Sequence, residues 1–183
     1  METRLIWFFG PSAAGKATLI CNMAKNHKHL LRIYLNLEGE IKISHESLNI
    51  FERNDLANAI VNSGSSNVPL LIKGQTTDIS QRRVPQGLKK IQRYQQEIVF
   101  VWADPHVLAL RCASRAKSIR EAGDDKLSNY FAGQGEEQCK KEMYEYQKPH
   151  VLSLGLQTLY VCTSNNILGI GEEPPEWQND DSN

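Results

Sequence analysis

Apolar runs separated by helical patterns account for most of the chain. Residues 4–9 (Arg-Leu-Ile-Trp-Phe-Phe) are continuously apolar after the first position, which is typical of a parallel strand buried on both faces. From about residue 15 to residue 29, apolar side chains recur every one or two helical turns, so we expect a helix there. Similar apolar runs predict further strands at 32–37, 68–72, 98–103 and 159–162, with a short one at 41–44.

Helices are predicted between these strands, at 55–62, 84–95, 106–121 and 136–147. Asp104-Pro105 marks one of these starts, since Asp favours the cap position and Pro the first turn. Strands that alternate with helices indicate the α/β class. We therefore expect a three-layer α/β sandwich with a five-stranded, largely parallel sheet over residues 1–171. Ligands bind beyond the carboxyl ends of the strands in such sheets.

A glycine-rich loop follows the first predicted strand. Its sequence, Gly10-Pro-Ser-Ala-Ala-Gly15-Lys16-Ala17-Thr18, contains the pattern G-x-x-x-x-G-K of a phosphate-binding P-loop. Glycines at both ends permit conformations in which successive N–H groups point inward around an anion. The next helix adds its positive dipole end, and a lysine can reach the β- and γ-phosphates. We expect the nucleotide to be held by Gly10, Ser12, Ala13, Ala14, Gly15, Lys16, Ala17 and Thr18.

One position departs from the P-loop pattern. The residue after the lysine is usually Ser or Thr, whose hydroxyl coordinates Mg²⁺, and Ala17 has no hydroxyl. Thr18 points about 100° further round the helix and is expected to touch a phosphate instead. Magnesium is then expected to bind through nucleotide oxygens, water and a carboxylate from another strand. A nucleotide-binding regulator without efficient catalysis stays open as an alternative.

The loop sequence Gly-Pro-Ser-x-x-Gly-Lys-x-Thr-Leu resembles the P-loop of the guanylate kinase family. In the order of its elements, the segment 4–166 is similar to the nucleoside monophosphate and small-molecule kinases of the P-loop class. This resemblance implies a P-loop NTPase kinase fold with a lid at about 122–137. It also implies ATP and Mg²⁺ as cofactors, and it places Asn165 in the loop that borders the adenine.

The helix predicted at 106–121 carries the pattern Leu108-x-x-Arg111-x-x-x-Arg115. This pattern resembles the arginines that border the lid in adenylate, shikimate and gluconate kinases, where they clamp the transferred phosphate. Residues four apart share one helical face, so both side chains can reach the same ligand. The resemblance therefore implies catalytic roles for Arg111 and Arg115. The alternative is a pair of solvated arginines on an amphipathic helix.

The third predicted strand leads into Lys73-Gly-Gln75-Thr-Thr-Asp78. Phosphoryl transfer to a hydroxyl is helped by a carboxylate that accepts the proton or positions it. Asp78 is the first candidate for that catalytic role, with Gln75 and Glu38 as acceptor-binding residues. Asp78 could instead cap the following turn, and Glu38 could be an ordinary turn residue.

The net charge is zero, with 21 Lys plus Arg against 21 Asp plus Glu, but the charge is unevenly distributed. Residues 172–183 contain five acidic residues and no basic one, so residues 1–171 carry +5. Ten basic residues and three acidic ones lie in the segment 73–120. Such a block is often a solvated face, and the alternative is a surface that receives phosphates. We predict that Arg82 and Arg83 bind a phosphorylated acceptor and that the acidic tail is disordered.

The basic excess favours an acceptor that is itself a nucleotide or a nucleic-acid strand. The segment 73–78 also resembles phage-type P-loop kinases that phosphorylate hydroxymethylated pyrimidines within DNA. The preferred function is an ATP-dependent kinase that transfers the γ-phosphate to a hydroxyl of such an acceptor. A small-metabolite kinase of the gluconate or shikimate type is the second possibility.

The four cysteines lie far apart and form no cluster with metal-ligand spacing: Cys21, Cys112, Cys139 and Cys162. This distribution argues against zinc and against a disulfide framework, and it favours a cytoplasmic location. No apolar run approaches the roughly 20 residues of a membrane span, and the first residues are too short a run for a secretory signal. We expect no membrane partner, and the pattern gives no oligomeric state.

Overall fold

In the computed structural model of the protein, the described residues are 4–26, 31–35, 41–43, 70–73, 95–175 and 177. The chain divides into two compact units. Unit 1 comprises Met1–Phe9, Lys16–Phe100 and His150–Leu159; unit 2 comprises Gly10–Gly15, Val101–Pro149 and Tyr160–Asn183. The glycine-rich loop up to Gly15 therefore belongs to unit 2, and the helix that follows it begins unit 1's next segment.

A parallel sheet forms the centre of unit 1. Strand β1 (Arg4–Phe9) pairs in parallel with β4 (Leu70–Lys73) on one side and β5 (Gln95–Trp102) on the other. Strand β2 (Leu31–Leu35) pairs in parallel with β4 and antiparallel with β3 (Ile41–Ile43). Parallel pairings thus join four strands in the order β2-β4-β1-β5, which confirms the α/β class and the largely parallel sheet.

Strand β1 is buried as its unbroken apolar run predicts. Trp7, Phe8 and Phe9 are 4%, 0% and 0% exposed, and consecutive buried residues mean that both faces of the strand are covered. Trp7 stacks on Phe9 with ring centroids 5.9 Å apart, and its indole N–H donates to Gln96 Oε1 at 2.9 Å. Each fully buried Phe stabilises the fold by about 1.5–3 kcal/mol. This rigid strand carries the chain to the loop.

Helix α1 (Lys16–Asn26) starts immediately after the glycine-rich loop, as predicted, and buries Leu19 and Ile20. The end predicted for it, residue 29, lies outside the described residues. The predicted helix at 55–62 and most of the one at 84–95 also lie outside them. At Gln95 the helix prediction is wrong, because that residue is the first of β5.

The helices after β5 are α2 (Pro105–Glu121), α3 (Asp125–Ala132), α4 (Glu136–Lys141) and α5 (Lys148–Ser153). A π-helical turn, Glu142–Gln147, separates the last two. The helix predicted at 106–121 is confirmed as α2, whereas the helix predicted at 136–147 changes to π geometry half-way along. None of the described helices is both long enough and apolar enough to span a membrane.

Strands β6 (Thr158–Cys162) and β7 (Gly169–Ile170) form an antiparallel pair at one edge of the sheet. The full strand order is β3-β2-β4-β1-β5-β6-β7. The predicted count of five strands is not confirmed, because the described part of the chain contains seven. The two strands beyond five are short edge strands with antiparallel partners. β3 is the short strand predicted at 41–44, whereas β7 was not predicted, because two residues are too few to give a clear apolar pattern.

The tail predicted to be disordered begins with packed residues. The Trp102 indole N–H donates to the Glu172 carbonyl at 2.6 Å, and Trp177 is 4% exposed. The Trp177 ring meets Tyr160 edge-on, with centroids 5.5 Å apart. The prediction is therefore wrong for 172–175 and for Trp177, because one large aromatic side chain gains enough by burial to order an acidic segment. Residues 176 and 178–183 lie outside the described ones.

Candidate functional site

The loop Gly10–Gly15 contains three residues with left-handed backbone conformations. The φ angles are 136° at Gly10, 62° at Ala13 and 90° at Gly15. Left-handed residues interspersed along a loop are the backbone feature of concavities in which N–H groups surround an anion. Ala13 is the one non-glycine residue with positive φ among those described, which costs roughly 1–2 kcal/mol. Strain of this kind is concentrated at ligand-binding sites.

Gly10 lets the loop begin against the strand beside it. A Cβ atom at this position would collide with the Val101 carbonyl of β5, and the φ of 136° is itself unfavourable for an L side chain. The turn that follows is closed by the Ala14 N–H, which donates to the Pro11 carbonyl at 3.3 Å. The first glycine of the motif is therefore required by both backbone conformation and close approach.

The end of the loop is fixed by Thr163, which directly follows β6 and is 8% exposed. Its Oγ1 lies 2.8 Å from the Ala14 carbonyl and 3.1 Å from the Trp102 carbonyl, and it donates its single proton to one of them at a time. The Arg111 guanidinium donates to Thr163 Oγ1 at 3.0 Å and to the Thr163 carbonyl at 2.5 Å. We call Arg111, Thr163 and Trp102 the brace of the loop.

Arg111 and Arg115, which were predicted to clamp a phosphate together, have different surroundings. Arg111 is half-buried and donates to Thr163, so it positions the loop through the brace. Arg115 is exposed, and its guanidinium carbon lies 4.5 Å from the centre of the Phe131 ring, within cation–π distance. Of the two, Arg115 is the one at the surface. Contact of either arginine with a phosphate stays a prediction.

Residues of the predicted lid and of the π-helical turn that follows it contact the loop at Ser12 and Ala13. The Ser12 N–H donates to Glu142 Oε1 at 3.3 Å, and the Ser12 hydroxyl lies 3.3 Å from the Tyr130 hydroxyl. Ala13 packs against a buried cluster of Cys112, Ala116 and Phe131. We call Tyr130 and Glu142 the cover of the loop. These contacts connect helix α3 and the π-helical turn with the proposed phosphate-binding backbone.

Helix α3, within the predicted lid, is firmly seated on α2. The Asp124 carboxylate caps it by accepting from the Leu127 N–H at 2.9 Å. Ser128 is fully buried and donates to the Ala116 carbonyl at 2.8 Å. The polar segment between Gly123 and Gly135 thus contains an ordered, capped helix. Its movement as a lid stays a prediction.

Two buried thiols lie beneath the cover. Cys112 on α2 and Cys139 on α4 are 0% and 3% exposed. Burial raises the pKa of the Cys112 thiol, with a further contribution from the Glu142 carboxylate. Burial, followed by the nearby Cys112 and Glu142, raises the pKa of Cys139 to about 12. Both side chains are therefore neutral near pH 7 and act as core residues.

The remaining nucleotide-binding positions begin helix α1. Lys16 is its first residue and is 8% exposed, Ala17 is half-buried, and Thr18 is exposed. Ala17 offers no side-chain oxygen to a metal ion. Among the residues that the structure describes, no group of three or more His, Cys, Asp or Glu could hold a metal ion. Asn165, the predicted neighbour of the adenine, is exposed in the loop after β6.

The residues predicted to bind the acceptor, and the predicted catalytic Asp78, are not among those that the structure describes. Glu38, Gln75, Asp78, Arg82 and Arg83 all lie outside the described residues, and their roles stay predictions.

Two further polar residues, at the start of α2, are at the surface. Asp104 occupies the cap position of α2 with Pro105 next to it, as predicted, but its side chain makes no capping hydrogen bond. Its backbone N–H donates to Ser164 Oγ at 2.8 Å. His106 Nδ1 lies 3.3 Å from Glu136 Oε2, and both side chains are well exposed.

Sequence reasoning missed three residues of this site: Thr163, Tyr130 and Glu142. Thr163 could have been found, since it follows a strand at its carboxyl end, where α/β sheets bind ligands. Glu142 and Tyr130 had no such signal, because Ser12 lies 130 and 118 residues away from them along the chain. Only the packing of α3 and α4 on α2 brings them to the loop.

Comparisons with known proteins give little further help. No family model matches the chain, and no curated protein matches it. Among solved structures, the chain is similar to the crystal structure of the YorR protein from Bacillus subtilis in complex with phosphorylated GDP. The identity is 19%, the match covers 85% of this chain and 84% of that chain, and the TM-score is 0.46. A likeness at this level shows neither the fold nor the activity of this chain.

Proposed function

We propose that the protein is an ATP-dependent kinase of the P-loop class that transfers the γ-phosphate to a hydroxyl of a nucleotide-type acceptor. The observation that carries this proposal is the loop from Gly10 to Lys16. It has the sequence G-x-x-x-x-G-K, left-handed residues at Gly10, Ala13 and Gly15, and a position between a buried parallel strand and a helix. These features are the ones needed to surround a polyphosphate with backbone N–H groups.

The proposed fold is the P-loop NTPase kinase fold, a three-layer sandwich around the largely parallel sheet, with a lid at about 122–137. The four strands joined in parallel support it, and residues 1–171 would form the catalytic domain. In this proposal the loop N–H groups and Lys16 bind the β- and γ-phosphates, and Asn165 borders the base. Magnesium would be held mainly by nucleotide oxygens and water, which suits an ion that keeps much of its hydration shell.

We propose that the acceptor hydroxyl attacks the γ-phosphorus while the bond to the β–γ bridging oxygen breaks, so that ADP leaves and the hydroxyl proton passes to Asp78. Arg115 is the proposed contact to the transferred phosphate, since its guanidinium is at the surface while that of Arg111 donates to Thr163. Gln75, Glu38, Arg82 and Arg83 would bind the acceptor. The charge of +5 on residues 1–171 supports an acceptor that carries phosphate, including hydroxymethylated pyrimidines in DNA.

A second candidate is a nucleotide-binding regulator that catalyses little or no transfer. Ala17 supports it, because the hydroxyl that normally coordinates magnesium is replaced by a methyl group. Such a protein would keep the phosphate-binding loop and its affinity for ATP. It would lack the metal geometry that accelerates transfer.

The two candidates are separated by a transfer assay with γ-labelled ATP. The acceptor panel contains nucleotides, hydroxymethylated DNA, RNA and polyols, and the proteins are the wild type, Lys16→Ala and the surface control Lys117→Ala. The proposal predicts label on a nucleotide or on DNA, lost in Lys16→Ala and kept in Lys117→Ala. Label on polyols alone would identify a metabolite kinase. ATP binding without transfer to any acceptor would favour the regulator, and absence of ATP binding would contradict both.

A further inference from the structure

Glu142 presents a carboxylate to the backbone that is proposed to bind phosphate. Its Oε1 accepts a hydrogen bond from the Ser12 N–H at 3.3 Å. A carboxylate oxygen and a phosphate oxygen are both anionic acceptors, and both favour the N–H groups of such a loop. The chain thus carries an anion of its own on one of the donors that the proposed function assigns to a nucleotide.

The position of this carboxylate is set by its neighbours in the chain. Glu142 is the first residue of the π-helical turn, a rare geometry that occurs mostly as single turns within α-helices and frequently at functional sites. Met143, next to it, is 0% exposed, and Cys139, one turn before it, is 3% exposed. Buried residues on both sides hold the backbone here, so the half-buried Glu142 side chain is directed by a fixed segment.

A second residue of the cover contacts the same serine. The Tyr130 hydroxyl lies 3.3 Å from Ser12 Oγ, and Tyr130 belongs to a different helix from Glu142. Phe131, which follows it, is part of the buried cluster on which Ala13 packs. Both the backbone and the side chain of Ser12 are therefore engaged by the cover.

We propose that Glu142 is an internal competitor for phosphate: its carboxylate occupies the Ser12 N–H, and a phosphate group of the nucleotide replaces it there. This inference rests on the proposed function. A ligand that must displace an internal group binds more weakly than it would to an open loop. Its affinity is reduced in proportion to the fraction of molecules in which the loop is open. The negative charge of Glu142 adds electrostatic repulsion against a polyphosphate. Glu142 thereby lowers the affinity for nucleotide phosphates and leaves the affinity for the nucleoside part unchanged.

The test is calorimetric titration of the full chain with ATP, ADP, inorganic phosphate and adenosine, each with and without Mg²⁺. Glu142→Gln keeps the size of the side chain and removes its charge. Glu145→Gln is the matched control, because Glu145 lies in the same π-helical turn, is exposed, and pairs with Lys141 at 3.9 Å instead of contacting the loop. We expect Glu142→Gln to bind ATP about 5- to 50-fold more tightly, and Glu145→Gln to stay within about 2-fold of the wild type. Adenosine affinity should not change in either variant.

Urea unfolding shows whether each variant is folded. A third variant keeps the test decisive if Glu142→Gln fails to fold. Glu142→Asp keeps the charge but is one methylene shorter, which withdraws the carboxylate from Ser12, and it should also tighten ATP binding, by less than Glu142→Gln. Unchanged or weaker ATP binding in the folded variants would overturn the inference. The inference would also be overturned if Glu145→Gln tightened ATP binding as much as Glu142→Gln, because that result would indicate a general effect of charge. If Glu142→Gln weakened ATP binding only in the presence of Mg²⁺, Glu142 would be a metal ligand and not a competitor.

The two proposals fail in distinguishable ways. One outcome is that the wild type binds ATP, Lys16→Ala does not, and Glu142→Gln binds ATP as tightly as the wild type. The proposal that Glu142 competes with phosphate is then wrong, and the proposed nucleotide site is supported. If neither the wild type nor Glu142→Gln binds ATP, both proposals are wrong. If Glu142→Gln binds ATP where the wild type scarcely does, both are supported.

Discussion

The two sides of the loop Gly10–Gly15 are held in different ways. On one side is the brace, in which the buried Thr163 hydroxyl lies 2.8 Å from the Ala14 carbonyl and is itself bound by Arg111. On the other side is the cover, in which Glu142 and the 47% exposed Tyr130 reach Ser12 over 3.3 Å each. The brace holds a loop carbonyl, and the cover contacts a loop N–H and a hydroxyl.

This difference separates a fixed part of the site from an exchangeable part. Breaking a buried hydrogen bond leaves polar atoms without water, at a cost of about 1–3 kcal/mol, so the brace is retained. The cover contacts are longer and reach towards solvent, where water or a phosphate can replace them at little cost. We therefore expect substitutions in the brace to change stability, and substitutions in the cover to change ligand affinity.

The largest effect is expected at the start of the loop, on the fixed side. Gly10→Ala introduces a Cβ that collides with the Val101 carbonyl, at a φ of 136° that suits only glycine. The free energy of unfolding should fall by at least about 3 kcal/mol in urea denaturation. Gly135→Ala is the matched control, since its φ is −70° and its Cβ would meet no atom within 4 Å. If Gly10→Ala were as stable as Gly135→Ala, the close approach of Gly10 to the Val101 carbonyl would be contradicted.

The brace itself is tested by Thr163→Val, which keeps the shape of the side chain and removes its hydroxyl. The buried Ala14 carbonyl and the half-buried Arg111 guanidinium each lose a partner, so the free energy of unfolding should fall by about 1–3 kcal/mol. Thr158→Val removes a local hydrogen bond to the Leu156 carbonyl of 3.2 Å and should cost less than about 1 kcal/mol. Equal losses in the two variants would show that Thr163 does not brace the loop.

An effect confined to alkaline pH is expected from the thiols beneath the cover. The Cys139 pKa is raised from 9.0 to about 12 chiefly by burial, so the folded protein holds this proton more tightly than the unfolded chain. The resulting stability is fully present below about pH 9 and is lost as the pH rises through about 12. Urea unfolding across this range should show a steeper decline for the wild type than for Cys139→Ala. If the stability of the wild type and of Cys139→Ala declined equally with rising pH, Cys139 would not be a buried neutral thiol.

The smallest change in stability is expected on the exchangeable side. Tyr130→Phe removes one exposed hydroxyl and its 3.3 Å contact with Ser12 Oγ, and leaves the ring in place. The free energy of unfolding should change by less than about 0.5 kcal/mol, because water replaces the lost partner. A loss as large as that of Thr163→Val would mean that the cover is as fixed as the brace.

The local parts of this site could be predicted from the sequence, and the long-range parts could not. The apolar run before Gly10, the motif up to Lys16 and the helix after it are short-range patterns, and the structure contains each of them. Thr163 and Ala14 are 149 residues apart, so their contact depends on the strand order and not on any local pattern.

Two further misses have their own physical reasons. The π-helical turn that begins at Glu142 looks like ordinary helix in the sequence, because its polar and apolar residues keep a helical spacing. In the tail, the acidic composition predicted disorder, yet the single side chain of Trp177 is buried against Tyr160. Composition averages over a segment, whereas one aromatic residue can decide where the chain packs.

The central claim, that the loop Gly10–Gly15 binds the phosphates of a nucleotide, is tested most directly by following its backbone amides. Resonances of Ser12, Ala13, Ala14 and Gly15 can be monitored by nuclear magnetic resonance during titration with ATP, with adenosine as the control. We predict that ATP shifts these amides strongly and that adenosine does not, since phosphate oxygens accept hydrogen bonds from them. Saturation with ATP that leaves the four amides unshifted would contradict the claim.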